Sequence, residues 1–337
     1  MDDDTHFQWL LGLILGLVAI VVLFKVAPKL TSRFQSVEEP LDTITPPPTL
    51  QMLREADALQ KWTIVPETLV IGGVAYNCES YLDAVLTNIQ RIGSLFSDYV
   101  VVIVIDEATN GSMSRLRYWQ TQLPRLVILV EQKSRARARN RILQFIRELM
   151  KNTVVNYFVM MDCEDVCAAP IHLPLLQHVL LRSDEWEAVT FPNDNKSMWE
   201  TLACAPFVLN YRHFAAQGFT PPHERALTRM KNFMYRKLGQ QEWIPCASSF
   251  GGLAVYKTHP FLECSYDHSF SRNLRFWTPD QIRANERACG SRLGYSTATT
   301  NDQDEDSEHR FFHLSGVLRH RARMFIVPYV LFPPTSP

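Results

Sequence analysis

The sequence predicts an α/β fold, a mainly parallel central sheet with helices flanking it. Two observations predict it. Short, wholly apolar runs suited to strands buried on both faces alternate with segments whose apolar residues recur at helical spacing. One of these runs, Tyr157-Phe158-Val159-Met160-Met161, leads straight into three carboxylates, Asp162, Glu164 and Asp165. Open α/β sheets bind their ligands outside the carboxyl ends of the strands, so acids at that position read as a site.

The elements follow in order. Residues 7–24 carry no charge and are long enough for a transmembrane helix. Asp2, Asp3 and Asp4, in a short tail of residues 1–6, precede this stretch, and Lys25, Lys29 and Arg33 follow it. A cleaved signal peptide has the opposite order, so the stretch reads as an uncleaved, single-pass anchor in a lipid bilayer. Basic residues only on the C-terminal side predict that the large domain faces the cytosol. Residues 25–60 contain Pro28, Pro40 and the run Pro46-Pro47-Pro48, and read as a semi-rigid stalk.

Residues 61–337 then form the main domain, with 61–170 as its first half and 171–337 as its second. Leu69–Ala75 is strand-like, and Leu82, Val85, Leu86 and Ile89 continue at helical spacing. Tyr99–Ile105 reads as a second strand ending at Asp106, and Leu126–Val130 as a third. Ser134 is placed to cap a helix whose apolar stripe is Ile142, Leu143, Ile146 and Leu149. The fourth strand ends at Asp162. Such alternation implies helices on both faces of a parallel sheet.

A formal net charge of −1 over 337 residues argues against a nucleic-acid binder, which would carry a basic excess. Seven cysteines are scattered with no framework of pairs. Cys163 and Cys167 flank the acidic triplet but lack two further ligands for zinc, so reduced, buried thiols are expected. Carboxylates spaced i, i+2 at a strand exit offer hard oxygen ligands to one divalent cation, Mg2+, Mn2+ or Ca2+ rather than Zn2+, whose open positions take a diphosphate. On a helix, Arg135 and Arg139 fall on the face of Ile142 and Ile146, whereas Arg137 and Arg141 point outward. An inward arginine is costly to bury without an anion.

Four segments together resemble the nucleotide-sugar half of GT-A glycosyltransferases: Val74-Ala75-Tyr76-Asn77-Cys78-Glu79, Val104-Ile105-Asp106-Glu107, Ala138-Arg139-Asn140 and Met161-Asp162-Cys163-Glu164-Asp165. The sequence looks closest to glycosyltransferase-like proteins of large DNA viruses and, more distantly, to fungal capsule-associated mannosyltransferases. The likeness covers residues 68 to 332. It implies a GT-A fold, with 61–170 as the nucleotide-sugar half and 171–337 as the acceptor half, and a nucleoside-diphosphate sugar as donor. The acceptor would be a glycan or glycoprotein. By this resemblance Tyr76, Asn77, Glu79 and Asp106 meet the nucleoside, while Arg139 and Asn140, with Arg135, lie beside the diphosphate. Asp162 with Glu164 or Asp165 binds the metal, and His313 completes its shell. Glutamate replaces the second aspartate of the usual Asp-x-Asp element, which leaves both partners of Asp162 open.

The resemblance further implies a carboxylate base if the reaction inverts the anomeric centre, with Glu308 the first candidate and Asp267 the second. The small-residue loop Pro245–Gly252 and residues Asp194, Trp199 and Glu200 would lie on the acceptor side. Acidic residues 302–306 read as a solvated loop. Many anchored glycosyltransferases face the Golgi or ER lumen, the alternative to the cytosolic placement. A membrane-anchored module of the same fold that binds nucleotide sugars or glycans without turnover is the competing reading. A nucleotidyltransferase is disfavoured because the first strand ends in Tyr-Asn-Cys-Glu, with no Gly-rich, Lys-containing phosphate loop.

Overall fold

The structure, a computed structural model, describes residues 64–106, 111–132, 134–193, 196–209, 221–240, 242–290 and 305–333. The expected anchor at 7–24 and stalk at 25–60 lie outside the described residues, as does Asp194. Among the described residues no helix is long and apolar enough to cross a membrane.

The described residues form ten α-helices and eight strands. In chain order they are β1 (Val65–Ala75), α1 (Leu82–Gly93), β2 (Phe96–Ile105), α2 (Ser112–Gln122), β3 (Leu126–Val130), α3 (Arg135–Leu149) and β4 (Tyr157–Asp162). There follow α4 (Leu173–Leu180), β5 (Ala188–Thr190), α5 (Lys196–Thr201), α6 (Pro221–Gly239), β6 (Ile244–Pro245), β7 (Leu253–Lys257) and α7 (Thr258–Phe261). The last are α8 (Phe270–Leu274), α9 (Pro279–Cys289), α10 (Glu308–Leu314) and β8 (Met324–Ile326).

The strands form one sheet in the order β3-β2-β1-β4-β7-β5-β8-β6. The first four run parallel, as the sequence predicts. β7 then pairs antiparallel with both β4 and β5, β5 pairs parallel with β8, and β6 closes the far edge antiparallel to β8. The chain winds outward through β1, β2 and β3, then returns to lay β4 on the other side of β1. That reversal opens a crevice at the carboxyl ends of β1 and β4, the place where such sheets take ligands.

Strand alternation divides the core in two. Val70, Val74, Phe158 and Met160 face one side, where Ile142, Leu143 and Ile146 of α3 cover them. Leu69, Ile71, Val159 and Met161 face the other, under Leu82, Val85, Leu86 and Ile89 of α1. Gly72 lets α3 lie close, since a Cβ there would collide with the Ile142 side chain. Ser134 caps α3 as expected, its side chain accepting from the Arg137 amide.

All seven cysteines are free and buried. Burial pushes the Cys78 and Cys264 thiols up to about 12, so both stay protonated at neutral pH.

Candidate active site

Alternation along β4 aims its last residue. Phe158, Met160 and Asp162 share the face covered by α3, so Asp162 emerges from the sheet toward that helix. Its backbone is fixed by its neighbour strands, with the Asp162 amide donating to the Gly252 carbonyl at 2.8 Å. Gly252 holds φ at 102°, a conformation that favours glycine, just before β7 begins.

Arg139 is the partner that Asp162 meets. It lies one turn into α3, is 1% exposed, and donates from one guanidinium nitrogen to Asp162 at 2.6 Å. Its other terminal nitrogen donates to Glu308, the first residue of α10. Its Nε has no partner. Phe250 and Tyr266 flank the guanidinium, with ring centroids at 5.7 and 5.9 Å. Burial works against the charge on Arg139, but Glu308 and then Asp162 outweigh it and hold the group protonated. Burial pushes the Asp162 carboxyl up, and Arg139 and Arg135 pull it back. One guanidinium thus serves two carboxylates, Asp162 buried and Glu308 partly open, so acids outnumber the arginine in this trio.

Arg135, one turn earlier, behaves differently from the expectation that it would turn inward with Arg139. It sits in the first turn, half-exposed, and reaches over the rim to pair with Glu164. Within one turn the same helix face thus goes from half-exposed at Arg135 to buried at Arg139. Arg137 and Arg141 are exposed, as their phase predicts. Burial raises the Glu164 carboxyl, and Asp162 nearby raises it further. Asp165 is exposed and accepts from the Val166 amide at 2.8 Å, starting a 3-10 turn.

On the β1 side, Tyr76 is buried with its hydroxyl near Gln132 and Ser134 at the start of α3. Asn77 is exposed and adopts φ 53°, which asparagine tolerates better than most residues. Asp106 is half-buried at the end of β2, close enough to Tyr76 to raise its phenol after burial. Glu79 accepts from the Gly111 amide at 3.1 Å and so ties the β1 exit to the start of α2.

Three expected roles do not match the contacts. Asn140 spends its side-chain amide on the backbone of Tyr266, donating to the carbonyl at 2.9 Å and accepting from the amide at 2.8 Å. It clamps α3 to the Tyr266 segment and has no free group for a diphosphate. Asp267 accepts from the Ser269 amide at 2.7 Å and from Arg272 at 2.6 Å, and caps the turn before α8. His313 is fully buried away from the acidic triplet, its Nδ1 bonded to Ser248 at 3.0 Å and its Nε2 to Tyr256 at 2.7 Å. Burial, with Arg139 nearby, lowers its pKa to about 3, so it is a neutral core imidazole with no nitrogen left for a metal. His309 is likewise buried, stacked 3.6 Å from the Phe250 ring.

The far end of the acidic run also departs from expectation. Asp306 is fully buried, bonded to Arg310 at 2.9 Å and to Asn273 at 2.8 Å. Arg310 in turn donates to the carbonyls of Leu202 and Val208. This buried pair pins α10, and with it Glu308, to the segment after α5. The sequence signal was present in Asp306-x-x-x-Arg310, an i, i+4 pair of opposite charge. Trp199 is buried in the core, its ring edge-on to Tyr235 at 5.6 Å, while Glu200 is half-buried on the same short helix.

Among the described residues no three His, Cys, Asp or Glu side chains form a ready-made metal cluster. The residues present still fit a Mg2+ or Mn2+ ion. Such ions are held by one or two carboxylates plus substrate phosphates, and Asp162 and Glu164 supply hard oxygens where negative charge is in excess.

No protein-family model matches the sequence, and no curated protein does. Several solved structures are similar. A mannosyltransferase from Pyrobaculum calidifontis, in complex with GDP-Man and Mn2+, is 18% identical over 65% of this chain and 55% of that one, with a TM-score of 0.37. TarS of S. aureus, in complex with UDP-GlcNAc, is 12% identical over 77% and 56%, with a TM-score of 0.40. Glucosyl-3-phosphoglycerate synthase from Mycobacterium tuberculosis, with Mn2+, UDP and glucosyl-3-phosphoglycerate, is 13% identical over 67% and 64%, with a TM-score of 0.34. The chain spans less than two thirds of the length of each.

Proposed function

We propose that the protein is a membrane-anchored, metal-dependent glycosyltransferase that moves a sugar from a nucleoside-diphosphate sugar to a glycan or glycoprotein. The observation that carries this reading is the convergence, at the switch point of the sheet, of Asp162 and Glu164 with Arg135, Arg139 and Glu308. Cleaving a sugar from a diphosphate builds negative charge on the leaving group, and fixed cations at that point are usually the largest catalytic contribution.

A divalent ion held by Asp162 and Glu164, or by Asp162 and Asp165, would neutralise that charge as a Lewis acid. Arg135, half-exposed on the rim, exchanges Glu164 for a phosphate oxygen. Arg139 keeps Asp162 and Glu308 in place and adds buried positive charge behind them. Tyr76, Asn77 and Asp106 line the strand ends where the nucleoside would lie. Glu308, partly open at the start of α10, takes the acceptor proton if the reaction inverts.

The test is incubation of the full chain in detergent with a panel of nucleotide sugars and Mn2+. Release of nucleoside diphosphate from one donor is expected and names it. Tight binding of a donor with no release on any acceptor would instead favour a binding module of the same fold.

A further inference from the structure

Beside α10, α8 and the π-helical turn Ser315–Arg319 border a half-open cavity of about 460 Å³. Arg272, Arg275, Phe276, Phe311 and Arg319 line it. The size lies within the range of about 300–1,000 Å³ usual for small-ligand sites. The Arg319 guanidinium stands 4.8 Å from the Phe276 ring and 5.7 Å from that of Phe311. Arg272 stands 5.9 Å from Phe311. The two rings meet edge to face at 5.6 Å, forming an aromatic floor under the cations. Asp267 pairs with Arg272 at 2.6 Å. Among the described residues no carboxylate pairs with Arg275 or Arg319. Among the described residues, three guanidiniums therefore share one acid around a concave, partly apolar site.

We propose that this cavity binds an oxyanion, phosphate or carboxylate, carried by the acceptor of the transfer reaction. The proposal rests on the glycosyltransferase reading for the word acceptor, and on the cavity itself for the oxyanion. Planar guanidiniums match phosphate and carboxylate oxygens in pairs, and the aromatic floor strengthens the charge interaction by excluding water. Two links connect the cavity to the site. Phe311 lies at i+3 from Glu308 on α10, about 5–6 Å away between Cβ atoms. Asp267, which holds Arg272, follows Tyr266, whose backbone Asn140 of α3 clamps. An anion here would place a neighbouring hydroxyl within reach of Glu308.

The experiment titrates the full chain in detergent with inorganic phosphate and, separately, with acetate. Calorimetry is run on wild type, Arg275→Gln, Arg319→Gln and the exposed control Arg137→Gln. Loss of one charged contact should weaken anion binding roughly tenfold to hundredfold in the first two variants and leave the control unchanged. Preference for phosphate points to a phosphorylated sugar as acceptor, and preference for acetate to a uronic acid. In transfer assays the KM for the charged acceptor should rise at least tenfold in Arg275→Gln, with donor hydrolysis unchanged. Anion affinity equal in all four proteins overturns the proposal. Anion affinity lost in both variants, with no nucleotide released from any donor, retains the oxyanion site and overturns the transferase reading instead.

Discussion

Arg139 and Glu308 stand 169 residues apart in the chain and form a partly buried ion pair near the end of β4. The pair joins the two halves of the domain at the point where the site lies. Asp162 shares the same guanidinium, so the arrangement couples a prospective metal ligand to a prospective base through one side chain.

That coupling makes Arg139 a structural residue first. Replacing it with methionine leaves Asp162 buried without its cation and Glu308, partly open, without its partner; breaking a buried pair in this way typically costs about 3–5 kcal/mol. We expect a clearly lower unfolding midpoint in Arg139→Met. An unchanged midpoint in thermal or urea unfolding would show that the ion pair does not hold the halves together.

Arg135 is the arginine free to move, because its side chain is half-exposed and its partner Glu164 is on the rim. Arg135→Ala should weaken nucleoside diphosphate binding about tenfold to hundredfold, the worth of a charged hydrogen bond of roughly 1.5–3 kcal/mol. Arg137→Ala, on the outward face, should bind as wild type. Equal losses in both would place the diphosphate elsewhere on α3.

Acid sensitivity should come from two buried histidines. Burial, then Arg139, lowers His309 well below its usual value and His313 to about 3, so both stay neutral in the fold but gain a proton on unfolding. The unfolded chain binds more protons below about pH 6.5, so stability is intact above that value and falls as pH drops toward 3. Each histidine contributes up to roughly 1.4 kcal/mol per pH unit in that window. His313→Gln should flatten the slope of unfolding free energy against pH between 6 and 4, on this same scale. A slope identical to wild type would remove His313 from the account.

Much of this fold was legible because its signals are local. Apolar runs, helical spacing and the Ser134 cap sit within a few residues of one another, and they place β1 to β4 and α3 correctly. Arg139 was legible too, since its phase set it among Ile142 and Ile146. What sequence could not show are pairings across long separations. Asn140 offers a family-like amide by sequence, yet Tyr266 claims both of its atoms from 126 residues away. His309 and His313 show one spacing whether they face a metal or an aromatic core, and only the packing of Phe250, Ser248 and Tyr256 decides between them. β7 enters the sheet antiparallel beside β4, a long-range insertion that no periodicity announces. The arginines of the basic cavity come together only in the fold, where Arg319, at the end of the π-helical turn after α10, meets Arg272 and Arg275.

The proposed membrane anchor carries a proposed orientation, domain in the cytosol, because Lys and Arg follow the apolar run 7–24 and none precede it. Protease added to intact microsomes should degrade the large domain. Protection until detergent is added would place the domain in the lumen.

The most direct measurement of the central claim is the affinity of nucleoside diphosphates for the full chain, by calorimetry, with Mn2+ and with EDTA. Wild type should bind one of UDP or GDP at least tenfold more tightly with Mn2+, and Asp162→Asn should lose that gain while remaining folded. Nucleotide binding that is the same with Mn2+ or EDTA, and the same in Asp162→Asn, would contradict the account.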